Sequence, residues 1–272
     1  MSSTAKLKYR KPLKKHRKMT CIIGGKSKDG VVLVADKKIR NPDTDAFEYR
    51  EKLFIFQKDY FYYPIVVGSS GTVPLYEKFK RDAIEALQKI NPDPASISFR
   101  SFTTESFNVS GTIYPYPSMS NSSKEVVLYP YIEKLEGIIK KYKKDYTGEE
   151  FDVLFAAQVK YRSAILSYIS EAGLSEDIPK HKTIGSGEIP ASVFLNVLNP
   201  NEMHMKEFAK WGYFIIKHIE EYRIDDKVGV GKERPQIYFI PNEGQLYQAQ
   251  NDFLDDCEKS RKIMEENLSK LL

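Results

Sequence analysis

Three side chains early in the chain carry groups that can act together in acyl transfer. Thr20 offers a hydroxyl, and Asp36 and Lys52 follow it by 16 and 32 positions with a carboxylate and an ammonium. A threonine hydroxyl is a poor nucleophile at neutral pH and needs a base within hydrogen-bond reach. A threonine at the first position of a chain carries such a base, its own α-amino group, whose reference pKa of about 7.7–8.0 leaves a useful share neutral at pH 7. A neighbouring ammonium lowers that pKa by like-charge repulsion, and a carboxylate holds the ammonium through a charge-assisted hydrogen bond. The amine exists only after the bond from Met19 to Thr20 is cut, so the chain with residues 1–19 attached is expected to be inactive. Each residue also has an ordinary reading: a plain strand start, a turn former at a strand end, a solvated lysine.

The elements that must position these groups follow from pattern. Cys21–Ile23 and Val31–Ala35 are short apolar runs flanking Lys28-Asp29-Gly30, which predicts a hairpin with Asp36 at the end of its second strand. Residues 47–55 and 60–68 predict a second strand pair around Gln57-Lys58-Asp59. Leu75, Phe79, Ala83, Leu87 and Ile90 share one face of a helix over residues 72–90, ended by Asn91-Pro92-Asp93-Pro94. Residues 95–125 are rich in Ser, Thr, Asn, Pro and Tyr and keep no period, which reads as an inserted loop. A helix over 131–146 with Ile132, Leu135, Ile139 and Tyr142 on one face, strands at 151–159, 163–170 and 182–184, helices at 189–198 and 203–222, the second burying Phe208, Trp211, Ile215 and Ile219, a strand at 236–240 and a helix at 249–271 complete the order. Blocks of strands and blocks of helices predict an α+β layered fold, with two packed antiparallel sheets flanked by helices.

Composition bounds the rest. The 272 residues are 41% hydrophobic and 29% charged, ordinary for a globular protein, and no apolar run approaches the ~20 residues of a membrane helix. The net charge of +5 belongs to one end: residues 1–18 carry eight Lys or Arg and no acid, and the remainder holds 34 bases against 37 acids. We expect residues 1–19 to be a basic disordered tail or propeptide, or sequence upstream of a start at Met19, and residues 20–272 to form a single domain. The negative body argues against nucleic acid as partner. Cys21 and Cys257 make no disulfide framework, which fits a cytoplasmic location. His16, His181, His204 and His218 lack metal-ligand spacing, and no phosphate-binding glycine loop is present, so no cofactor is expected.

Residues Thr20–Lys52 resemble the start of a proteasome β-type subunit, of the N-terminal-nucleophile (Ntn) hydrolase family, with Thr20, Asp36 and Lys52 matching its nucleophile and that residue's acidic and basic partners. The likeness continues in order to about Phe239. Val67-Gly68-Ser69-Ser70-Gly71 is similar to the segment that supplies the oxyanion N–H, pointing to Gly68; Gly185-Ser186-Gly187 points to Ser186; Asp225, four before Gly229, matches a later aspartate, with Asp226 competing. The family often has glycine before the nucleophile, where this chain has Met19. The resemblance implies a four-layer αββα sandwich and a threonine-type endopeptidase acting through an acyl-enzyme on Thr20. It also implies ring-forming oligomers, a peptide or unfolded-protein substrate and a separate ATPase unfoldase. A non-catalytic subunit that keeps its tail, or an amidase acting on a small molecule, would share these residues.

Overall fold

The structure is a computed structural model and describes residues 20–40, 46–56, 64–71, 73–89, 122–146, 151–158, 163–170, 172–173 and 175–271. The tail at 1–19, most of the expected insertion and the turn at 57–59 lie outside these residues. The chain opens with β1 (Ile22–Ser27) and β2 (Gly30–Ala35), paired in register from Ile22–Ala35 to Ser27–Gly30. β3 (Lys38–Arg40) and β4 (Phe47–Tyr49) form a small ribbon. β5 (Leu53–Phe56) and β6 (Ile65–Ser70) then lead to helices α1 (Val73–Gln88) and α2 (Ser122–Asp145). β7 (Asp152–Ala157), β8 (Ile165–Ile169), β9 (Ser175–Asp177) and β10 (His181–Ile184) follow. The chain closes with α3 (Glu188–Leu195), α4 (Met205–Glu221), β11 (Gln236–Pro241), β12 (Tyr247–Gln248) and α5 (Asn251–Leu271).

Two findings correct the expected architecture. The described strands form three antiparallel sheets rather than two: β10-β1-β2-β11-β12, β5-β6-β7-β8-β9 and the ribbon β3-β4. With five α-helices beside them, this is not the plain four-layer αββα sandwich that the sequence suggested. The cause is the break at Arg50-Glu51-Lys52, which divides the single strand expected over 47–55 into β4 and β5 in different sheets. Arg50 N–H bonds the Lys37 carbonyl at 2.8 Å and Lys38 Nζ sits 4.2 Å from the Phe47 ring, so the first part pairs back on residues 38–40. The second correction concerns α2. It begins at Ser122, inside the expected insertion and nine residues before the start expected at 131, and runs through Pro130.

Strand alternation explains the packing. Along β2, Val31, Leu33 and Ala35 join the cluster shared with Leu53, Val66, Leu154 and Leu166 of the other five-stranded sheet. Val32 and Val34 point the opposite way, against Phe208, Ile215 and Ile216 of α4. Both faces are covered, so the strand reads as an unbroken apolar run. On the far side, Leu75, Phe79, Ala83 and Leu87 of α1 and Leu135, Ile139 and Tyr142 of α2 bury against β5–β8, the stripes that their spacing predicted.

Consecutive glycines on β1 set how closely these layers approach. A β-carbon at Gly24 would meet Leu154 Cδ2 at 2.8 Å, and one at Gly25 would overlap the Phe208 ring. Overpacking of this kind costs about 1–3 kcal/mol. Gly25→Ala is therefore expected to lower the unfolding free energy by about that amount in chemical denaturation. Adding Phe208→Leu is expected to recover part of the loss; a purely additive double mutant would show that the ring is not the obstacle.

Candidate active site

The ends of three strands meet at one point. Thr20 and Cys21 precede β1, Asp36 follows β2, and Lys52 precedes β5. The register Ile22–Ala35 brings Cys21 opposite Asp36, whose backbone N–H bonds the Cys21 carbonyl at 3.0 Å. The Asp36 carboxylate is fully buried and its two oxygens take three donors. Oδ1 accepts Lys52 Nζ at 2.6 Å and the Cys21 N–H at 2.8 Å; Oδ2 accepts the Gly229 N–H at 3.2 Å. One carboxylate oxygen thus lies between the Lys52 ammonium and the peptide nitrogen that follows Thr20. Thr20 is 3% exposed and Lys52 1%.

Burial governs the electrostatics. Desolvation pushes the Asp36 carboxyl up and the Lys52 ammonium down from their ordinary values, and each is pulled back by the other's charge. The Cys21 thiol is also pushed well up by burial, which leaves it a packed, neutral side chain rather than a nucleophile. The Cys21 and Gly229 N–H groups offset part of the cost of burying the Asp36 charge.

Thr20 is gripped on its other side by the Gly-Ser-Gly segment. The Gly187 N–H bonds the Thr20 carbonyl at 3.1 Å. Gly185 adopts φ +98°, and a β-carbon there would overlap the Thr20 carbonyl. Both the dihedral and the close approach require glycine. Ser186 lies between these two contacts, and its Oγ is buried with no hydrogen-bond partner among the described residues.

The two competing aspartates separate. Asp225 is half-buried, accepts the Lys227 N–H at 2.9 Å, and lies near enough for its charge to act on Cys21 and Lys52. Asp226 is exposed and offers its backbone carbonyl to Lys38 Nζ. Gly68 is the expected site residue that the structure turns elsewhere. It sits within β6 between Leu53 and Leu154. Leu53 gives both its N–H and its carbonyl to the Gln236 side chain, at 2.9 Å each. The Leu53–Gly68 pair is therefore the non-hydrogen-bonded kind, and alternation directs the Gly68 N–H toward β7. A β-carbon at Gly68 would crowd Leu53 and Ile22, so this glycine serves the contact between sheets.

Sequence reasoning missed the residues that act through their backbone. Gly229 donates to Asp36 while its carbonyl accepts the N–H groups of Lys37 and Lys38, at 3.0 and 2.8 Å. Glu220 holds the same loop through the N–H groups of Val230 and Gly231, at 2.9 and 2.7 Å. The glycines flanking Ser186 and following Asp225 were visible as markers, but nothing in their type showed that their own backbones touch Thr20 and Asp36. Among the described residues no cluster of three or more His, Cys, Asp or Glu is placed to hold a metal ion, and no helix is long and apolar enough to cross a membrane.

No protein-family model matches this chain, and no curated protein sequence does. Solved structures do resemble it. Anbu (ancestral beta-subunit) from Yersinia bercovieri superposes with a TM-score of 0.66 at 15% identity, covering 93% of this chain and 96% of that one. An Anbu (Gly-1) mutant from Hyphomicrobium sp. strain MC1 gives 0.64 at 13% identity, and Anbu from the same strain 0.63 at 14%; each covers 92% of this chain and 97% of its own. Identities this low show a shared fold alone. The resemblance read from the sequence, to a proteasome β-type subunit, is corrected to a likeness in fold to Anbu, a proteasome-like fold but a distinct family. Short motifs around Thr20, Asp36 and Lys52 mark the frame of that fold and do not separate the families built on it.

The buried pair makes a thermodynamic prediction. Removing one partner strands the other charge without water, which costs about 3–5 kcal/mol. Asp36→Asn and Lys52→Met should each destabilise by about that much in denaturant unfolding, and the double variant by clearly less than the sum. Additive losses would mean that the two groups do not interact in solution.

Proposed function

We propose that this chain is an Ntn hydrolase of the threonine type, an endopeptidase that cleaves amide bonds through an acyl-enzyme on Thr20. The observation that carries the reading is the Asp36–Lys52 pair, fully buried at 2.6 Å and bonded to the peptide that follows Thr20. A buried ion pair contributes little net stability compared with apolar residues of similar size. Its placement beside a hydroxyl residue, at the meeting point of three strand ends, is better explained by chemistry.

The proposed reaction begins when the Met19–Thr20 bond is cut and Thr20 gains a free amine. The neutral amine takes the hydroxyl proton as Thr20 Oγ1 attacks the substrate carbonyl, forming a tetrahedral intermediate. The Lys52 ammonium, held by Asp36, keeps the amine's pKa low before attack. The protonated amine then passes its proton to the leaving nitrogen, the C–N bond breaks, and an ester on Thr20 remains. Water activated by the same amine hydrolyses the ester and restores the hydroxyl. Ser186 Oγ and Asp225 are assigned to orienting the amine and relaying its proton. For the oxyanion we look past Gly68 to the turn that ends β6. We assign that role to Gly71, the glycine that directly follows β6, whose strand pairs with β5 next to Lys52.

Substrate and assembly are further parts of the proposal. We assign peptides or unfolded protein as substrate, delivered by a separate ATPase, and a ring of subunits around the sites. Ile189, Val193 and Val197 support self-association: they recur every fourth residue along α3 and the turn after it, 78%, 66% and 83% exposed.

An epoxyketone probe, which reacts with both a hydroxyl and a free amine, tests the reading by mass spectrometry. The expected result is an adduct on Thr20 at a newly exposed N-terminus, absent in Thr20→Ala. Protein that keeps residues 1–19 in its native host and takes no adduct would sink the proposal. Peptidase activity should fall about 10²-fold or more in Lys52→Ala. The working amine is deprotonated, so activity is lost as pH falls through its pKa. With Lys52 in place, that acid limb should lie below the reference value of about 7.7.

A further inference from the structure

Gln236 opens β11, and its backbone pairs with Ala35, the residue immediately before Asp36. Its side chain crosses to the other five-stranded sheet. Oε1 accepts the N–H groups of Lys52 at 3.1 Å and Leu53 at 2.9 Å, and Nε2 donates to the Leu53 carbonyl at 2.9 Å. The residue is 2% exposed. One amino acid is thus tied through its main chain to the strand that presents Asp36, and through its carboxamide to the backbone that presents Lys52.

The chemistry of this contact is specific to glutamine. Among the described residues β5 is an edge strand, with no strand on the outer side of Leu53. The carboxamide takes that place, offering an acceptor and a donor side by side as a neighbouring strand would. Glutamate lacks the donor, and an apolar side chain would leave two N–H groups and one carbonyl unpaired in the interior. Asparagine is one methylene too short to span from β11.

We propose that Gln236 is a positioning residue, which sets the reach of the Lys52 ammonium to Asp36 by locking the two sheets together at the site. The proposal rests on the reading of Thr20 as nucleophile. The charged and titratable groups that face Lys52 are Asp36 first, then Cys21 and Asp225. A change at Gln236 should therefore be felt in how those groups set the Thr20 amine, and not only in stability.

The test uses the processed protein, with active sites counted by the epoxyketone probe. Gln236→Met keeps the length and flexibility of the side chain and removes the three hydrogen bonds to Lys52 and Leu53. It is expected to lower kcat per titrated site about 10²-fold, as a small misplacement of a reacting group does, with KM within about twofold. Its acid limb should move up in pH, because a displaced Lys52 no longer depresses the amine. Gln236→Glu keeps both accepting contacts and adds a negative charge; it should retain more kcat than Gln236→Met while its acid limb also moves up. Variants that match wild type in kcat and acid limb would overturn the proposal. So would variants that lose thermal stability alone, or that both fail to fold, since either outcome places Gln236 in the fold and not in the site. Wild-type protein that takes no adduct would remove the hydrolase reading itself, and this inference with it.

Discussion

The contact between Lys52 Nζ and Asp36 Oδ1, 2.6 Å long and closed to water, constrains everything around it. Two opposite charges in a protein interior persist only if their remaining hydrogen-bonding capacity is met. Asp36 therefore draws in two further donors, the N–H groups of Cys21 and Gly229. Those donors belong to the start of β1 and to the loop before β11. Lys52 brings the start of β5. The termini of separate elements are held at one place because a carboxylate there has to be satisfied.

Glycine makes this convergence sterically possible. Gly187 reaches the Thr20 carbonyl and Gly185 lies against the same group in a left-handed conformation. A β-carbon at Gly229 would meet the Glu220 carboxylate at 2.5 Å, so that loop lies close over the helix that anchors it. Glu220 then fixes the loop through Val230 and Gly231. The path from α4 to Asp36 runs through the Glu220 bonds to Val230 and Gly231 and one step of backbone to Gly229, and Gln236 supplies a second path from β11 to Lys52. The chemical groups are few, but the scaffold that aims them includes residues from both large sheets and one helix.

Likeness to Anbu structures over 92–93% of the chain, at 13–15% identity, fits this division of labour. A fold of this kind depends on which faces are apolar and on where strands end, and many sequences meet both conditions. The same tolerance explains why motif order points to the fold and not to one family built on it. Thr20, Asp36 and Lys52 sit at strand ends that the fold itself dictates, so their spacing reports the frame rather than the family.

What the sequence determined by itself was periodic or local. The apolar stripes of α1, α2 and α4, the hairpin around Lys28-Asp29-Gly30 and the spacing of the three polar residues are properties of neighbours along the chain. Tertiary structure alone decided the division of residues 47–55 between two sheets, the start of α2 before Pro130, the partial burial of Asp225 beside an exposed Asp226 and the direction of the Gly68 N–H toward β7. It also brought Gln236, more than 180 positions away, onto Lys52 and Leu53. The physical reason is that burial and hydrogen-bond direction depend on what lies across a sheet or between layers. Residue type and spacing determine which groups can react or pack, and only the assembled layers decide which of them face one another without water between.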